Sequence, residues 1–328
     1  MATNCISTYG AAEFLQRVTH PECIDIISHE YASVFSVPII GTYENFKKPK
    51  NKNKNRFWNI PCWDDTRVIL FETNDGADYI NANYINGFDL KRKFIATEQP
   101  MVNTLNNFWT MLWQENSRII VKLSGGEEES KLNCIPYFSS NQYNNIIGDF
   151  IVKQEKIRLE YYYTETVLSI THIRTGESKT VHHYNYWNWP EDKFPDRREL
   201  LEFLLVMNKK YQELFLEAVI NNQLSPGPIV VHGNSGIMRT PTFCAIDTCL
   251  YQLVCTATIS VTSVVFQIRQ QRNCSFPILS QYIFIYDVLL YFLVNLRSNY
   301  GAFMELRSHC TSKDKYLLYH PTKKLVHA

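Results

Sequence analysis

Residues Ile229 to Thr240 read Ile-Val-Val-His-Gly-Asn-Ser-Gly-Ile-Met-Arg-Thr, and the interpretation of the fold starts from this stretch. Three apolar β-formers lead into a polar, glycine-containing turn, and Pro241 and an apolar pattern of helical spacing follow. The pattern predicts a buried strand, a tight loop and a helix with Pro241 near its first turn, where a missing N–H costs nothing. Such a loop directs several backbone N–H groups and a helix N-terminus at one point, which is a typical anion site. Arg239 adds a planar guanidinium that suits two phosphate oxygens.

The same stretch resembles the phosphate-binding loop of protein tyrosine phosphatases, whose pattern is His-Cys-x-x-Gly-x-x-Arg-Ser/Thr. His232, Gly236, Arg239 and Thr240 match the pattern, and Gly233 stands at the position of its cysteine. In the family the cysteine thiolate attacks phosphorus and forms a covalent intermediate. Glycine has no side chain, so the resemblance implies a phosphate loop without its nucleophile. The phosphate-binding residues that it implies, supported by His232, are Gly233, Asn234, Ser235, Gly236, Ile237, Met238, Arg239 and Thr240.

The composition of the 328-residue chain is that of a globular protein with a sizeable core. Hydrophobic residues make up 45% of the chain, and 33 basic against 32 acidic residues leave a net charge of +1. This balance favours neither nucleic acid nor a membrane surface as a partner. The most apolar window, Tyr282 to Val294, is short and is interrupted by Asp287, so it predicts a buried helix and no membrane span.

The nine cysteines are scattered along the chain, at positions 5, 23, 62, 134, 244, 249, 255, 274 and 310. They form no Cys-x-x-Cys pair, and histidines do not accompany them at zinc spacing, so we expect neither a metal site nor a cofactor. The N-terminus lacks the basic segment and apolar run of a secretion signal. Together these features predict a protein of the reducing cytoplasm.

A basic segment precedes an aromatic motif near the start of the chain. Lys47 to Arg56 carries six basic residues in ten, with one proline and three asparagines. It is typical of a solvated connecting segment, and it would also form a positive rim for an acidic, phosphorylated partner. Asn55 to Pro61 resembles the family's phosphotyrosine-recognition loop. The resemblance implies that Phe57 flanks the substrate ring and that Asn59 reaches a peptide backbone.

Residues 187–195 resemble the mobile Trp-Pro-Asp loop of the family, and Trp189 supplies its tryptophan. In the family the aspartate protonates the leaving tyrosyl oxygen and later activates water. Here the corresponding carboxylate is Glu191, which is one methylene longer, and Asp192 follows it. Lys193 replaces a glycine that helps this loop to bend.

Two more family loops are recognisable with altered residues. In the first, the resemblance implies that Glu128 pairs with Arg239 and that Asn133 replaces a lysine near the general acid. In the second, Gln281 keeps the later glutamine of Gln-Thr-x-x-Gln, while Pro277 replaces the first, which positions the hydrolytic water. Proline has no side-chain amide and no N–H, so that role is lost.

Periodicity predicts several elements outside these loops. We expect helices over Ala11–Val18 and Arg197–Val219, a strand over Ile119–Leu123, and antiparallel strands within 147–186 that turn at Thr175-Gly176. The alternation of Asn81 and Asn83 with apolar neighbours predicts a half-buried strand. Thr97-Glu98-Gln99-Pro100 departs from the family's Thr-Gln-Gly-Pro.

The motifs follow one another in the family's order over about residues 20–298. The resemblance implies an α/β fold, a highly twisted mixed β-sheet flanked by helices on both sides, in one tyrosine-phosphatase-like domain at 20–298. Residues 1–19 and 299–328 are then N-terminal and C-terminal extensions. The whole pattern is similar to the tyrosine phosphatases that bracoviruses of parasitoid wasps encode, several of which lack an intact nucleophile, which implies action inside an insect host cell.

The altered positions decide what function we expect, because a fold alone does not. Gly233, Pro277 and Asn133 have lost catalytic groups, whereas Arg239 and Glu128 persist. We therefore expect a pseudophosphatase that binds phosphotyrosine proteins, or competes with active phosphatases, and so interferes with host signalling. The alternatives are an active phosphatase with unusual chemistry and an interaction scaffold whose loop no longer binds phosphate.

Overall fold

The structure, a computed structural model, describes residues 6–71, 78–125, 137–138, 145–190, 193–295, 301 and 304. Within these ranges the main feature is a mixed sheet of nine strands. In chain order its strands are β2 (Arg67–Ile69), β3 (Tyr79–Ile85), β4 (Phe94–Thr97), β5 (Ile119–Leu123), β6 (Asn145–Ile147), β7 (Phe150–Leu159), β8 (Tyr163–His172), β9 (Ser178–Tyr186) and β10 (Ile229–His232). Their spatial order is β2-β3-β4-β10-β5-β9-β8-β7-β6. β10 is parallel to both of its neighbours, β5 is parallel to β9, and the remaining pairs are antiparallel.

Helices cover both faces of this sheet. The α-helices in the described ranges are α1 (Ala11–Val18), α2 (Cys23–Ser36), α3 (Glu44–Lys47), α4 (Leu105–Gln114), α5 (Arg197–Ile220), α6 (Arg239–Thr256), α7 (Val261–Gln271) and α8 (Leu279–Val294). Val230 belongs to the core on the α4 side, together with Trp109, whereas Ile229 and Val231 belong to the core under α5 to α8. Side chains of a strand alternate between faces, so a run of apolar residues such as Ile229–Val231 suits a strand that is covered on both. The predicted α/β architecture is confirmed.

The N-terminal segment packs against the same core. β1 (Tyr9–Gly10) pairs with β11 (Thr258–Ile259) in a separate two-stranded sheet. Phe14 of α1 is fully buried and stacks on Tyr286 of α8 at a ring-centroid distance of 5.6 Å. Glu30 of α2 accepts hydrogen bonds from the hydroxyls of Tyr282 and Tyr286 and forms an ion pair with Arg17 of α1. These contacts join α1 and α2 to α8.

Several predicted elements appear with the predicted bounds. α1 and β5 occupy the residues expected for them, and the predicted helix from Arg197 extends by one residue to Ile220. The turn at Thr175-Gly176 lies between β8 and β9, and Gly176 adopts a positive φ of 71°. The basic segment is more ordered than a solvated connection, because Pro49–Lys54 forms a 3-10 helix whose Asn51 is fully buried.

The cysteines that the structure describes differ in their bonding state. Cys23, Cys62, Cys244, Cys249 and Cys274 are free thiols, whereas Cys255, near the end of α6, is disulfide-bonded. The scattered cysteines did not predict that bond. Among the described residues, no group of three His, Cys, Asp or Glu side chains could hold a metal ion. None of the helices within those ranges has the length and apolar character that crossing a bilayer requires.

Candidate functional site

The segment around Gly233 forms the predicted strand, loop and helix. It spans residues 233–238, and α6 begins at Arg239 with Pro241 inside its first turn. Gly236 adopts a φ of 71°, and a Cβ atom there would come within 2.4 Å of the Thr97 carbonyl oxygen. Both constraints exclude any residue but glycine, so this position bends the loop and packs it against the end of β4.

A buried arginine fixes the loop from behind. Arg272 is fully buried, and its guanidinium donates to the side-chain oxygens of Asn81 at 2.6 Å and Asn83 at 2.9 Å. It also donates to the carbonyl oxygens of Gly236 at 3.3 Å and Ser235 at 3.4 Å. Since these carbonyls face Arg272, the N–H side of the same peptide planes is left for a ligand.

The alternation around Asn81 and Asn83 predicts a half-buried strand, but β3 is buried on both faces. Both side chains are fully buried. Their polar groups tolerate burial because each is hydrogen-bonded: the oxygens accept from Arg272, and the Nδ2 of Asn83 donates to the Trp63 carbonyl at 3.0 Å. An alternating polar pattern therefore predicts exposure only when no buried partner satisfies it.

His232 lies beneath the loop as a neutral, fully buried side chain. Its Nδ1 is 3.3 Å from the Gly233 carbonyl oxygen, which only accepts, so Nδ1 carries the proton. Its Nε2 then accepts from the hydroxyl of Tyr137 at 2.9 Å, and that hydroxyl also lies 2.6 Å from Nε2 of His183. Burial lowers the pKa of His232 to about 3, so the imidazole stays uncharged at neutral pH. It supports the loop and does not act as a cation.

Gly233 is where the loop pattern places a nucleophilic cysteine. A Cβ added there would lie 3.4 Å from the Leu123 carbonyl oxygen, 3.8 Å from Thr240 Oγ1 and 3.9 Å from Arg239 Cβ, which are ordinary contact distances. The surroundings would therefore accept a Cβ atom. The position lacks a side chain only because the residue is glycine. Cys244 and Cys249 are fully buried in α6, and burial raises the pKa of both thiols. Neither lines the cavity described next.

One cavity of about 410 Å³ brings most of the predicted site residues together. All eight predicted phosphate-binding residues line it, and so do Phe57, Asn59, Gln281 and Trp189. Phe57 places an aromatic ring on the cavity, and its contact with a substrate ring stays a prediction. Lys193, Ile278 and Ser280 also line the cavity, although none of them was among the predicted site residues.

The described part of the cavity wall is positively charged. Among the described lining residues, Arg239 and Lys193 are the charged side chains, and no carboxylate is present. Arg239 is 9% exposed, and its Nη1 donates to the Leu123 carbonyl at 3.4 Å. Two cations and a ring of loop amides favour an anion with two or more negative oxygens.

The structure describes only one of the remaining predicted residues. Pro277 is exposed and does not line the cavity, although Ile278, the next residue, does. Glu128, Asn133 and Glu191 lie outside the described residues, so the pairing of Glu128 with Arg239 and the role of Glu191 stay predictions.

The segment that carries Phe57 is fastened to the end of β4. The Arg56 N–H donates to the Glu98 carboxylate at 2.7 Å, and Arg56 Nε donates to the Gln99 carbonyl at 3.2 Å. Glu98 is 5% exposed, and burial raises its pKa to about 7. Trp58, between the two cavity residues Phe57 and Asn59, is 86% exposed.

Known proteins with a similar sequence agree with the motifs. The family model described as protein-tyrosine phosphatase matches residues 51–291. The probable tyrosine phosphatase protein N1 of Microplitis demolitor bracovirus is 36% identical over 310 residues, which are 90% of this chain and 94% of that protein. Tyrosine phosphatase H3 of the same virus is 32% identical over 312 residues, 88% of this chain and 96% of that protein.

A cellular protein is also similar to this chain. The human tyrosine-protein phosphatase non-receptor type 9 is 33% identical over 273 residues, which are 81% of this chain and 46% of that protein. The matched region contains the mixed sheet, the loop after β10 and the cavity that this loop lines. On this evidence the chain belongs to the protein-tyrosine phosphatase family.

Proposed function

We propose that this protein is a pseudophosphatase, which binds phosphotyrosine proteins without hydrolysing them. The observation that carries the proposal is Gly233 at the first position of an otherwise complete phosphate loop, with Arg239 and the start of α6 on the same cavity. A glycine offers no atom to attack phosphorus. The loop keeps the groups that bind a phosphoryl group and lacks the one that would transfer it.

The shape and charge of the cavity support phosphotyrosine as the ligand. The phosphoryl group would lie among the amides of residues 234–239 and the Arg239 guanidinium. The half-buried Phe57 would flank the phenyl ring, and the exposed Asn59 would reach the peptide backbone. With no thiolate at position 233, no negative group of the loop opposes a dianionic phosphate.

Isothermal titration tests the proposal with three ligands: a phosphotyrosine peptide, its unphosphorylated twin and inorganic sulfate. We expect the phosphopeptide to bind more tightly than sulfate, because it adds ring and backbone contacts, and the twin to bind far more weakly. Equal affinity for the two peptides would contradict the proposal and would favour the scaffold alternative.

An active phosphatase is the second candidate, and the names of the relatives favour it. Tyrosine phosphatase H3 and the non-receptor type 9 enzyme are named as phosphatases, although others are named only tyrosine phosphatase-like, such as protein H1 of the bracovirus. Release of phosphate from an aryl phosphate, sensitive to vanadate and absent from an Arg239→Ala preparation purified in parallel, would establish this candidate instead.

The biological setting follows from the same relatives. The similarity to bracovirus proteins supports action on phosphotyrosine signalling in a host cell, in competition with active phosphatases for the same phosphoproteins. The net charge of +1 gives no reason to add nucleic acid or a membrane surface as a partner.

A further inference from the structure

Thr240, in the first turn of α6, has a hydroxyl group that forms no hydrogen bond with the described protein atoms. The residue is 1% exposed, and its Oγ1 has no hydrogen-bond partner among the residues that the structure describes. Other threonines of this helix behave differently. The hydroxyl of Thr242 donates to the Met238 carbonyl at 2.9 Å, and that of Thr248 donates to the Cys244 carbonyl at 2.7 Å. A buried polar group without a partner is uncommon and requires a reason.

The unused hydroxyl borders the space that the missing side chain at position 233 leaves open. Its oxygen lies 3.8 Å from the point where a Cβ of residue 233 would stand, and both Thr240 and Gly233 line the cavity. The carbonyl oxygen of Leu123 lies 3.4 Å from the same point, and it would repel an anion. An oxygen atom that enters this space is therefore directed towards the hydroxyl of Thr240.

We propose that this space belongs to the ligand site: a phosphoryl group sits deep in the loop, and the Thr240 hydroxyl donates a hydrogen bond to one of its oxygens. The inference rests on the proposed function and refines it, because it assigns one more specific contact to the bound anion. The hydroxyl adds a donor on the same side as the N-terminus of α6 and the Arg239 guanidinium, where negative charge is already favoured.

The proposal gives the glycine itself a role in binding. Any side chain at position 233 would occupy the space next to Thr240 Oγ1 and would hold the anion away from the hydroxyl. Gly233→Ala should therefore weaken binding, although its Cβ fits without a clash. A loop that had merely lost its cysteine would not show this loss, because a methyl group at ordinary contact distances leaves the amides and Arg239 in place.

Titration of a phosphotyrosine peptide into threonine variants provides the test. We expect Thr240→Val, which keeps the shape and removes the hydroxyl, to weaken binding by about tenfold, the effect of one hydrogen bond to a charged group. Thr240→Ser should stay within about twofold to threefold of the wild type, because it keeps the donor. The matched control is Thr248→Val, which removes a buried hydroxyl from the same helix away from the cavity and should leave the affinity unchanged.

Thermal unfolding without ligand separates a role in binding from a role in folding. Thr240→Val should melt no lower than the wild type, because its hydroxyl has no protein partner to lose, whereas Thr248→Val should melt lower. If Thr240→Val binds the phosphopeptide as tightly as the wild type, or if Thr248→Val weakens binding equally, the inference is overturned while the proposed function stands. If the wild type fails to distinguish the phosphorylated from the unphosphorylated peptide, the proposed function itself fails.

Discussion

At the scale of single residues, position 233 lacks a nucleophile but has room for one. The backbone there accepts a Cβ at ordinary contact distances, so Gly233→Cys should fold. The new thiol would lie near the N-terminus of α6, which should lower its pKa. Phosphoryl transfer to the thiol should then appear. Hydrolysis of the resulting phosphocysteine should be slow, because Pro277 has no side-chain amide to position water. The loss of a general acid–base group typically lowers the reaction rate by about 10²–10⁴-fold.

Mass spectrometry of the Gly233→Cys variant after incubation with an aryl phosphate measures this directly. We expect a phosphorylated enzyme that accumulates, with one fast release of the phenol and little steady turnover. Sustained turnover at the rate of an active family member would contradict the assignment of Pro277 as a lost group.

Arg239 should provide most of the specificity for phosphate. Hydrogen bonds to charged groups contribute roughly 1.5–3 kcal/mol each, so Arg239→Ala should weaken phosphopeptide binding by at least about tenfold. Phe57→Ala should weaken it less and should leave sulfate binding unchanged, since sulfate never touches the ring. Titration of both ligands into both variants checks the pair. Loss of sulfate binding in the Phe57 variant would show that the ring supports the loop and does not form the wall.

Lys193 should add a second, solvent-screened attraction for the anion. It lines the cavity, it is exposed, and it stands where the family has a glycine. We expect Lys193→Gln to weaken phosphopeptide binding severalfold at low salt and much less at high salt, because exposed charges are screened. Lys209→Gln, at an exposed lysine of α5, is the control and should change nothing. Equal affinities for Lys193→Gln and the wild type at low salt would remove this residue from the site.

At the scale of secondary structure elements, Glu98 links the end of β4 to the segment that carries Phe57. Its Oε1 accepts from the Arg56 N–H, and its Oε2 has no partner among the described residues. Burial raises the pKa of Glu98 from 4.5 to about 7. The folded state therefore binds this proton more tightly than the unfolded chain. The stabilisation is complete below about pH 4.5 and is lost as the pH rises through 7.

Glu98→Gln tests this dependence on pH and restores the residue of the family pattern. At pH 8 the wild type must keep a buried carboxylate, which at about 1.4 kcal/mol per pKa unit costs roughly 3 kcal/mol, and the variant avoids that cost. Urea unfolding should show the variant to be more stable at pH 8, with a much smaller difference at pH 5. A difference that is equal at both pH values would mean that the carboxyl is not the group that titrates.

The sequence was most informative where local pattern and fold coincide. β5, α1 and the strand, loop and helix around Gly233 could be predicted, because apolar period, glycine and proline act within a few residues. The burial of Asn81 and Asn83 could not, since it depends on Arg272, which lies about 190 residues further along the chain. The unused hydroxyl of Thr240 and the position of Lys193 in the cavity likewise emerge only from the three-dimensional arrangement.

At the scale of the whole molecule, residues 6–19 pack against the rest of the fold. The division into an extension at 1–19 and a domain from residue 20 stays a prediction, and within residues 6–19 β1 pairs with β11 and Phe14 of α1 packs in the main core against α8. The first turn of α8 contains Gln281, which lines the cavity, so the N-terminal contacts support one wall of the site. The disulfide bond at Cys255 is a state that a reducing compartment disfavours, and the cytoplasmic location stays a prediction.

The central claim is that the intact molecule captures phosphotyrosine and leaves it phosphorylated. The most direct measurement is to form a stoichiometric complex of the full chain with a phosphotyrosine peptide, to incubate it overnight, and to identify the bound peptide by mass spectrometry. We predict that the peptide is retained on the protein and is recovered with its phosphate, and that the unphosphorylated twin is not retained. Recovery of the peptide without its phosphate, in amounts beyond those from the Arg239→Ala protein, would contradict the claim.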